Sequence, residues 1–160
     1  MAKVTDITRE YEEKAEPQSG RVIYEVGYQQ KRHESEIHAA EWLAGTFGGE
    51  LVLLRENICS YGMKTPDFLW RGAMRELKDI SSDKYRTIDR RIQKACAQIR
   101  ENLVQGKRGG ILLDFTRSKL AMAKIVQYAL QSVETRATRG ITDMIVKKGA
   151  EYTVLRIKKE

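Results

Sequence analysis

The stretch from Thr65 to Ile80, TPDFLWRGAMRELKDI, constrains this chain more than any other part of it. Pro66-Asp67 opens a short apolar run that ends at Trp70. Arg71-Gly72 has the chemistry of a two-residue turn, and Ala73 to Ile80 reads as the returning strand, which predicts a β-hairpin. A two-residue loop fixes the register: Trp70 faces Ala73, Leu69 faces Met74, Phe68 faces Arg75 and Asp67 faces Glu76. Directly opposed residues have Cβ atoms about 4.5–5.5 Å apart, and like charges there destabilise a sheet. Two carboxylates in that position need a positive group between them. Side chains alternate along a strand, so Glu76 and Lys78 share a face and Leu77 takes the other. Asp67, Glu76 and Lys78 therefore converge on one spot.

Two hard oxygen ligands beside an ammonium suit a divalent cation that keeps several waters and meets a phosphate. Asp67 and Glu76 are the expected metal ligands. The ion would lower the pKa of a water, and Lys78 would orient that water or steady the charge developing on the phosphate. Phosphodiester hydrolysis is the chemistry expected of such a set. The alternative is a surface hairpin whose charges face solvent.

At 160 residues the chain has room for one domain with a real core. No run approaches the ~18 apolar residues of a membrane span, and the opening MAKVTDITREYEEK has no apolar signal-peptide core. Cys59 and Cys96 form neither a disulfide framework nor a closely spaced zinc pair, and are read as thiols in a reducing, cytoplasmic compartment. The net charge of +7 is unevenly spread. Residues 1–80 carry 11 basic and 14 acidic side chains, and residues 81–160 carry 18 and 8, giving −3 and +10. The second half is therefore the expected polyanion-facing half.

Residues 1–20, polar and acidic up to Pro17-Gln18-Ser19-Gly20, are expected to form an arm or linker outside a core spanning 21–160. Arg21 to Tyr28 favours a strand. A helix is expected from an N-cap at Ser35 to Phe47, stopped by Gly48-Gly49. Its apolar arc of Ile37, Ala40, Leu43, Ala44 and Phe47 includes Glu36, so Glu36 is a third acidic candidate, with Glu41 as the substitute. His33 and His38 are read as surface residues, and Trp42 as packing. Leu51 to Leu54 predicts a strand buried on both faces. After the hairpin, Ser81-Ser82-Asp83 offers N-cap chemistry for a helix from about Lys84 to Gln105, with Ile88, Ile92, Ala95, Ile99 and Leu103 as its buried stripe. Arg91, Lys94 and Gln98 border that stripe and could line a phosphate groove beside Lys78. Lys107 and Arg108, at the helix end, are further candidates for backbone contact. A buried strand at Ile111-Leu112-Leu113 follows, closed by Asp114, then a helix over 118–133 and a closing hairpin of strands at 141–146 and 152–157.

From Glu36 onward the expected order is helix, strand, strand, strand, helix, strand, with a helix and a hairpin appended. That order, with Pro66-Asp67, eight intervening residues and Glu76-Leu77-Lys78, resembles the PD-(D/E)XK nuclease superfamily. The resemblance is sharpest over residues 34–115. Glu36, Ala40 and Leu43 ahead of Gly48-Gly49, Lys64 to Phe68, Glu76-Leu77-Lys78, Gln98 and Gly109 to Asp114 together look like the C-terminal nuclease domains of CdiA-type contact-dependent growth-inhibition toxins. Several of those cleave transfer RNA. The resemblance implies an α/β restriction-endonuclease-like core, with Glu36, Asp67 and Glu76 holding a divalent metal (Mg²⁺ first, Mn²⁺ or Zn²⁺ possible), Lys78 catalytic and Gln98 supporting. It also implies RNA, including tRNA, as substrate, action in the cytoplasm of a target bacterial cell and a cognate immunity protein as partner. A DNA endonuclease of a phage or mobile element, and a non-catalytic nucleic-acid-binding module, stay open at this point.

Overall fold

The computed structural model describes residues 2–55, 66–102, 108–134, 138 and 140–159. Among them, eight strands form one mixed sheet flanked by four α-helices, an α/β architecture. In chain order these are β1 (Ala2–Asp6), α1 (Thr8–Glu13), β2 (Glu16–Tyr24), α2 (Glu34–Phe47), β3 (Gly48–Leu53), β4 (Phe68–Trp70), β5 (Ala73–Asp79), α3 (Tyr85–Glu101), β6 (Gly109–Asp114), α4 (Met122–Glu134), β7 (Ile141–Lys148) and β8 (Glu151–Lys159). The strands lie in the order β1-β8-β7-β6-β5-β4-β3-β2. β5, β6 and β7 run parallel to their neighbours in that trio, as β2 does to β3, and the remaining pairs are antiparallel. No described helix is long and apolar enough to cross a membrane.

Alternation along the central strands splits the core in two. Ile111 and Leu113 of β6 join Met144, Val146, Ile88, Ile92 and Ile99 under α3 and α4. Leu112 and Ile145 point the other way, to Leu43, Phe47, Leu51, Phe68 and Trp70 under α1 and α2. β6 is apolar throughout its middle because both layers cover it, and its three central residues are fully buried. β3 differs from expectation: Leu51 and Leu53 are buried, but Val52 between them is only half-buried. α3 packs over β5, β6 and β7, and α4 over β1, β7 and β8, so Val52 lies beyond that layer. The surface left uncovered on the α3 side of β4 and β5 is where a cleft can open.

The hairpin has the expected register, with Trp70 opposite Ala73, Leu69 opposite Met74 and Phe68 opposite Arg75. Both turn residues have positive φ, 53° at Arg71 and 80° at Gly72, as tight right-twisted hairpins require. Arg71 holds this unusual backbone because its guanidinium donates to Phe47 O at 2.8 Å at the end of α2 and lies 4.3 Å from the Trp70 ring. Trp70 Nε1 donates to Gly48 O at 2.9 Å. α2 and the hairpin are thus clamped to the start of β3.

Several boundaries differ from the expectations. α2 begins at Glu34, with His33 and not Ser35 as its N-cap, and no side chain caps it. α3 is preceded by Lys84, whose backbone N–H meets Ser82 Oγ at 3.1 Å. α4 starts at Met122 and not Ser118. Leu103, Gln105 and Lys107 lie outside the described residues.

The first twenty residues are not an arm. β1 pairs with β8 along its whole length, β2 pairs with β3 at Glu16 and again from Arg21 to Tyr24, and Ile7 between β1 and β2 is buried. Their polar composition misleads because both strands are sheet edges, where half the surface faces water. Tyr11 on α1 fastens this segment to the core: its hydroxyl donates to Asp143 Oδ2 at 2.9 Å, and Asp143 Oδ1 pairs with the buried Arg75 guanidinium at 2.7 Å. Removing one donor from a half-buried carboxylate that keeps its guanidinium partner costs on the order of 1 kcal/mol. Tyr11→Phe should therefore lower stability by about that amount in denaturant unfolding, where a change in a loose arm would leave the midpoint untouched.

Candidate functional site

β5 carries the site because its alternation aims Glu76 and Lys78 at the open α3-side surface. They are buried, 3% and 8% exposed, so they do not belong to a solvated face. Asp67 lies just before β4, and its Oδ2 accepts from Leu77 N at 2.7 Å across the hairpin, which holds the carboxylate opposite Glu76. The two carboxyl groups are near enough for each to alter the other's proton affinity. Lys78 Nζ stands 3.9 Å from Glu76 Oε1. Asp67, Glu76 and Lys78 thus converge as the hairpin register requires.

Burial and crowding set their proton affinities. Desolvation pushes Glu76 up to about 9, reinforced by the charge of Asp67 and only partly offset by Lys78. Desolvation also raises Asp67, against the hydrogen bonds from Glu76 and Leu77 N that favour its charged form. Lys78 is pulled below its ordinary value by burial, despite both carboxylates. Without a cation, burial and mutual repulsion therefore favour a proton on the carboxyl pair. Glu76 Oε2 is buried with no donor facing it. A shared proton or a positive ion is what can satisfy such an atom.

The trio lies in a cleft of about 570 Å³. One wall is α3, which contributes Arg91, Lys94 and Gln98, spaced so that all three reach the same side. Arg91 Nη2 donates to Asp79 O at 3.1 Å, and Gln98 Oε1 is buried without a hydrogen-bond donor. The other wall is the segment leading into α2, with Lys31, His33 and Glu36.

Glu36 reaches the cleft but is held differently from the expectation. Its Oε1 accepts from Tyr28 Oη at 3.1 Å, and its Oε2 is 3.7 Å from His33 Nδ1. Burial first, and then the Glu36 charge, drive the Tyr28 hydroxyl far above its usual pKa, so it stays a donor. Among the described residues, no three His, Cys, Asp or Glu side chains are gathered closely enough to hold a metal. Glu36 is thus not assembled with Asp67 and Glu76 into a ready three-carboxylate ligand set. Asp67 and Glu76 do fit a cation that brings its own waters, since they offer a crowded pair with one buried oxygen lacking a donor.

Of the other candidates, Arg108 is exposed and does not line the cleft, and Lys107 lies outside the described residues. Glu41 is exposed. Trp42 packs among Phe47, Tyr152 and the Lys147 ammonium. Asp114 is structural: its Oδ1 accepts from Thr116 N at 3.0 Å and from Lys147 Nζ at 3.4 Å. Sequence reasoning missed His33, Tyr28 and Lys31. The only signal was the three-residue spacing of His33 and Glu36, which brings them together only because the helix starts between them.

No family model matches this chain, and no curated protein does. Among solved structures, a chain of the CdiA-CT/CdiI toxin and immunity complex from Burkholderia pseudomallei shares its fold. The match has a TM-score of 0.53 at 15% identity and covers 89% of this chain and 96% of that one. At that identity the likeness is one of fold.

A folded-state pKa raised above the unfolded value makes the native state bind the extra proton. Its contribution is complete below the unfolded carboxyl pKa and is lost as pH rises toward about 9. In chelator, stability should fall with rising pH across that window, by up to roughly 1.4 kcal/mol per pH unit from this group. Glu76→Gln should flatten the slope in urea midpoints measured at several pH values. An unchanged slope would mean that Glu76 is not protonated in the folded state.

Proposed function

We propose that this chain is a metal-dependent nuclease of the PD-(D/E)XK type, and that it acts as the toxin of a contact-dependent growth-inhibition pair. The observation that carries the reading is the buried, mutually opposed Asp67 and Glu76 with Lys78 beside them, facing a cleft whose α3 wall is basic. The order α2, β3, β4, β5, α3, β6 supports the superfamily assignment, with Asp67 just ahead of the second of those strands and Glu76 on the third. The structure that shares this fold is a toxin and immunity complex. A cleft with an acidic pair and an amine belongs on the toxin side of such a pair.

Asp67 and Glu76 would hold a divalent cation, Mg²⁺ first. That ion would supply Lewis-acid charge at the attacked phosphate. Lys78, whose burial weakens its hold on a proton, sits where it can donate to or steady an oxygen gaining negative charge. Arg91 and Lys94 bind phosphates on either side of the scissile one. Gln98 offers its buried carbonyl oxygen to a water at the cleft floor. RNA is the proposed substrate, in keeping with the sequence resemblance, and an immunity protein with an acidic face would close the cleft.

Purified protein incubated with tRNA, other RNA and DNA should cleave RNA in Mg²⁺ and stop in chelator. Asp67→Ala and Lys78→Ala should each lower the rate at least a hundredfold. Mg²⁺ should raise the melting temperature of the wild type more than that of Asp67→Ala. Cleavage by Asp67→Ala at the wild-type rate would remove the site.

Reversing the charges of Arg91 and Lys94 should weaken binding across all sequences. It should also reduce the slope of log affinity against log salt by roughly one for each lost phosphate contact. Titrations at several salt concentrations read this directly. An unaltered slope would place the phosphate path elsewhere.

A further inference from the structure

The wall of the cleft opposite α3 has a feature that phosphodiester chemistry does not require. Tyr24, Tyr28 and His33 form a ladder of rings, with centroids 5.6 Å apart for the first two and 5.4 Å for the last two. The Tyr28 ring stands between the other two, and its hydroxyl is tied to Glu36. His33 is the final rung. It lines the cleft, keeps 28% of its side chain exposed, and is held from behind by Tyr28 and from the side by Glu36 Oε2 at 3.7 Å. A ring braced on two sides and open toward a cleft is a preorganised flat surface. It lines the same cleft as the acidic pair. Lys31 lies on the same wall, and Arg91 and Lys94 lie across from it.

We infer that His33 is a base-stacking platform, and that the cleft takes a single strand whose unpaired base lies against His33 while its phosphates run along Arg91 and Lys94. This rests on the nucleic-acid reading of the cleft and adds the class of substrate. In a duplex each base has its faces covered by its neighbours in the stack, so only an unstacked base can present one to a protein ring. Base-on-ring stacking accepts any base, since all have a π-face. It therefore selects for strandedness more than for sequence. The Tyr28–Glu36 hydrogen bond has a role under this assignment: Glu36 positions the platform.

The test is a binding measurement in chelator, so that no turnover is needed. Fluorescence anisotropy is followed with labelled oligouridylate and oligothymidylate, with their duplexes, and with an abasic phosphodiester strand of the same length. Wild type should bind the base-bearing single strands on the order of tenfold tighter than the duplex or the abasic strand. His33→Ala should lose about that factor on single strands and nothing on the abasic strand. His33→Phe, which keeps a ring but breaks the contact to Glu36, should retain most of the affinity. The comparison of wild type on base-bearing and abasic strands needs no variant and does not depend on how a variant folds. Equal affinity for the abasic strand, preference for duplex, failure to bind any of the probes, or an unchanged single-strand affinity in His33→Ala would each overturn the inference. Metal-dependent cleavage with a duplex preference would sink the platform and leave the nuclease. Base-dependent binding without cleavage in any metal would do the reverse.

Discussion

Two carboxyl groups stand across a hairpin in a nearly dry part of the sheet, and much of the surrounding structure exists to keep them there. Their burial favours a proton on the pair, and their repulsion is relieved locally by a backbone N–H from Leu77 and by Lys78. It is resisted globally by the clamp of Trp70 and Arg71 on the start of β3 and the end of α2. A hairpin held only by its own three paired positions would splay under such a load. This one is buttressed by a helix, by β3 and β2 on one side and by β6, β7, β8 and β1 on the other.

The pair's raised affinity for a proton also bears on how the site would respond to a ligand. A cation drawn to Asp67 and Glu76 has to displace that proton, so its apparent affinity climbs as the medium becomes more alkaline. Lys78 moves in the opposite sense: once a cation neutralises the carboxylates, the amine loses its counter-charges and gives up a proton more readily. Acid and amine are coupled through one small volume. A change at either is felt as a shift in the other's protonation.

The legible part of this fold was local and periodic. The two-residue turn fixed the register of β4 and β5, and with it the meeting of Asp67, Glu76 and Lys78. The stripe of Ile88, Ile92, Ala95 and Ile99 oriented α3 and brought Arg91, Lys94 and Gln98 to one side. The parts not legible depended on contacts between remote segments. β1 was hidden because its partner β8 lies at the far end of the chain. The Arg75–Asp143 pair was hidden because neither residue carries a local signal, and Gly110 is needed to let the guanidinium lie across β6, where a Cβ would fall 2.5 Å from Arg75 Cζ. His33 was read as surface because the loop before α2 has no period from which to infer a direction.

Arg75 and Glu76 are consecutive, buried and on opposite sides of the sheet, one answered by Asp143 and the other by Lys78. That arrangement works as a charge key for threading. If β5 slid by one position, the Arg75 guanidinium would turn to the cleft face and leave Asp143, while Glu76 and Lys78 would turn together to the opposite face, away from the cleft. Such a slip would part the buried guanidinium from its carboxylate and the Glu76 carboxyl from the cleft. A sheet made of Leu, Ile and Val alone would tolerate such a slip with a modest loss of packing. Here two consecutive buried charges, each answered on its own face, also hold the strand in register.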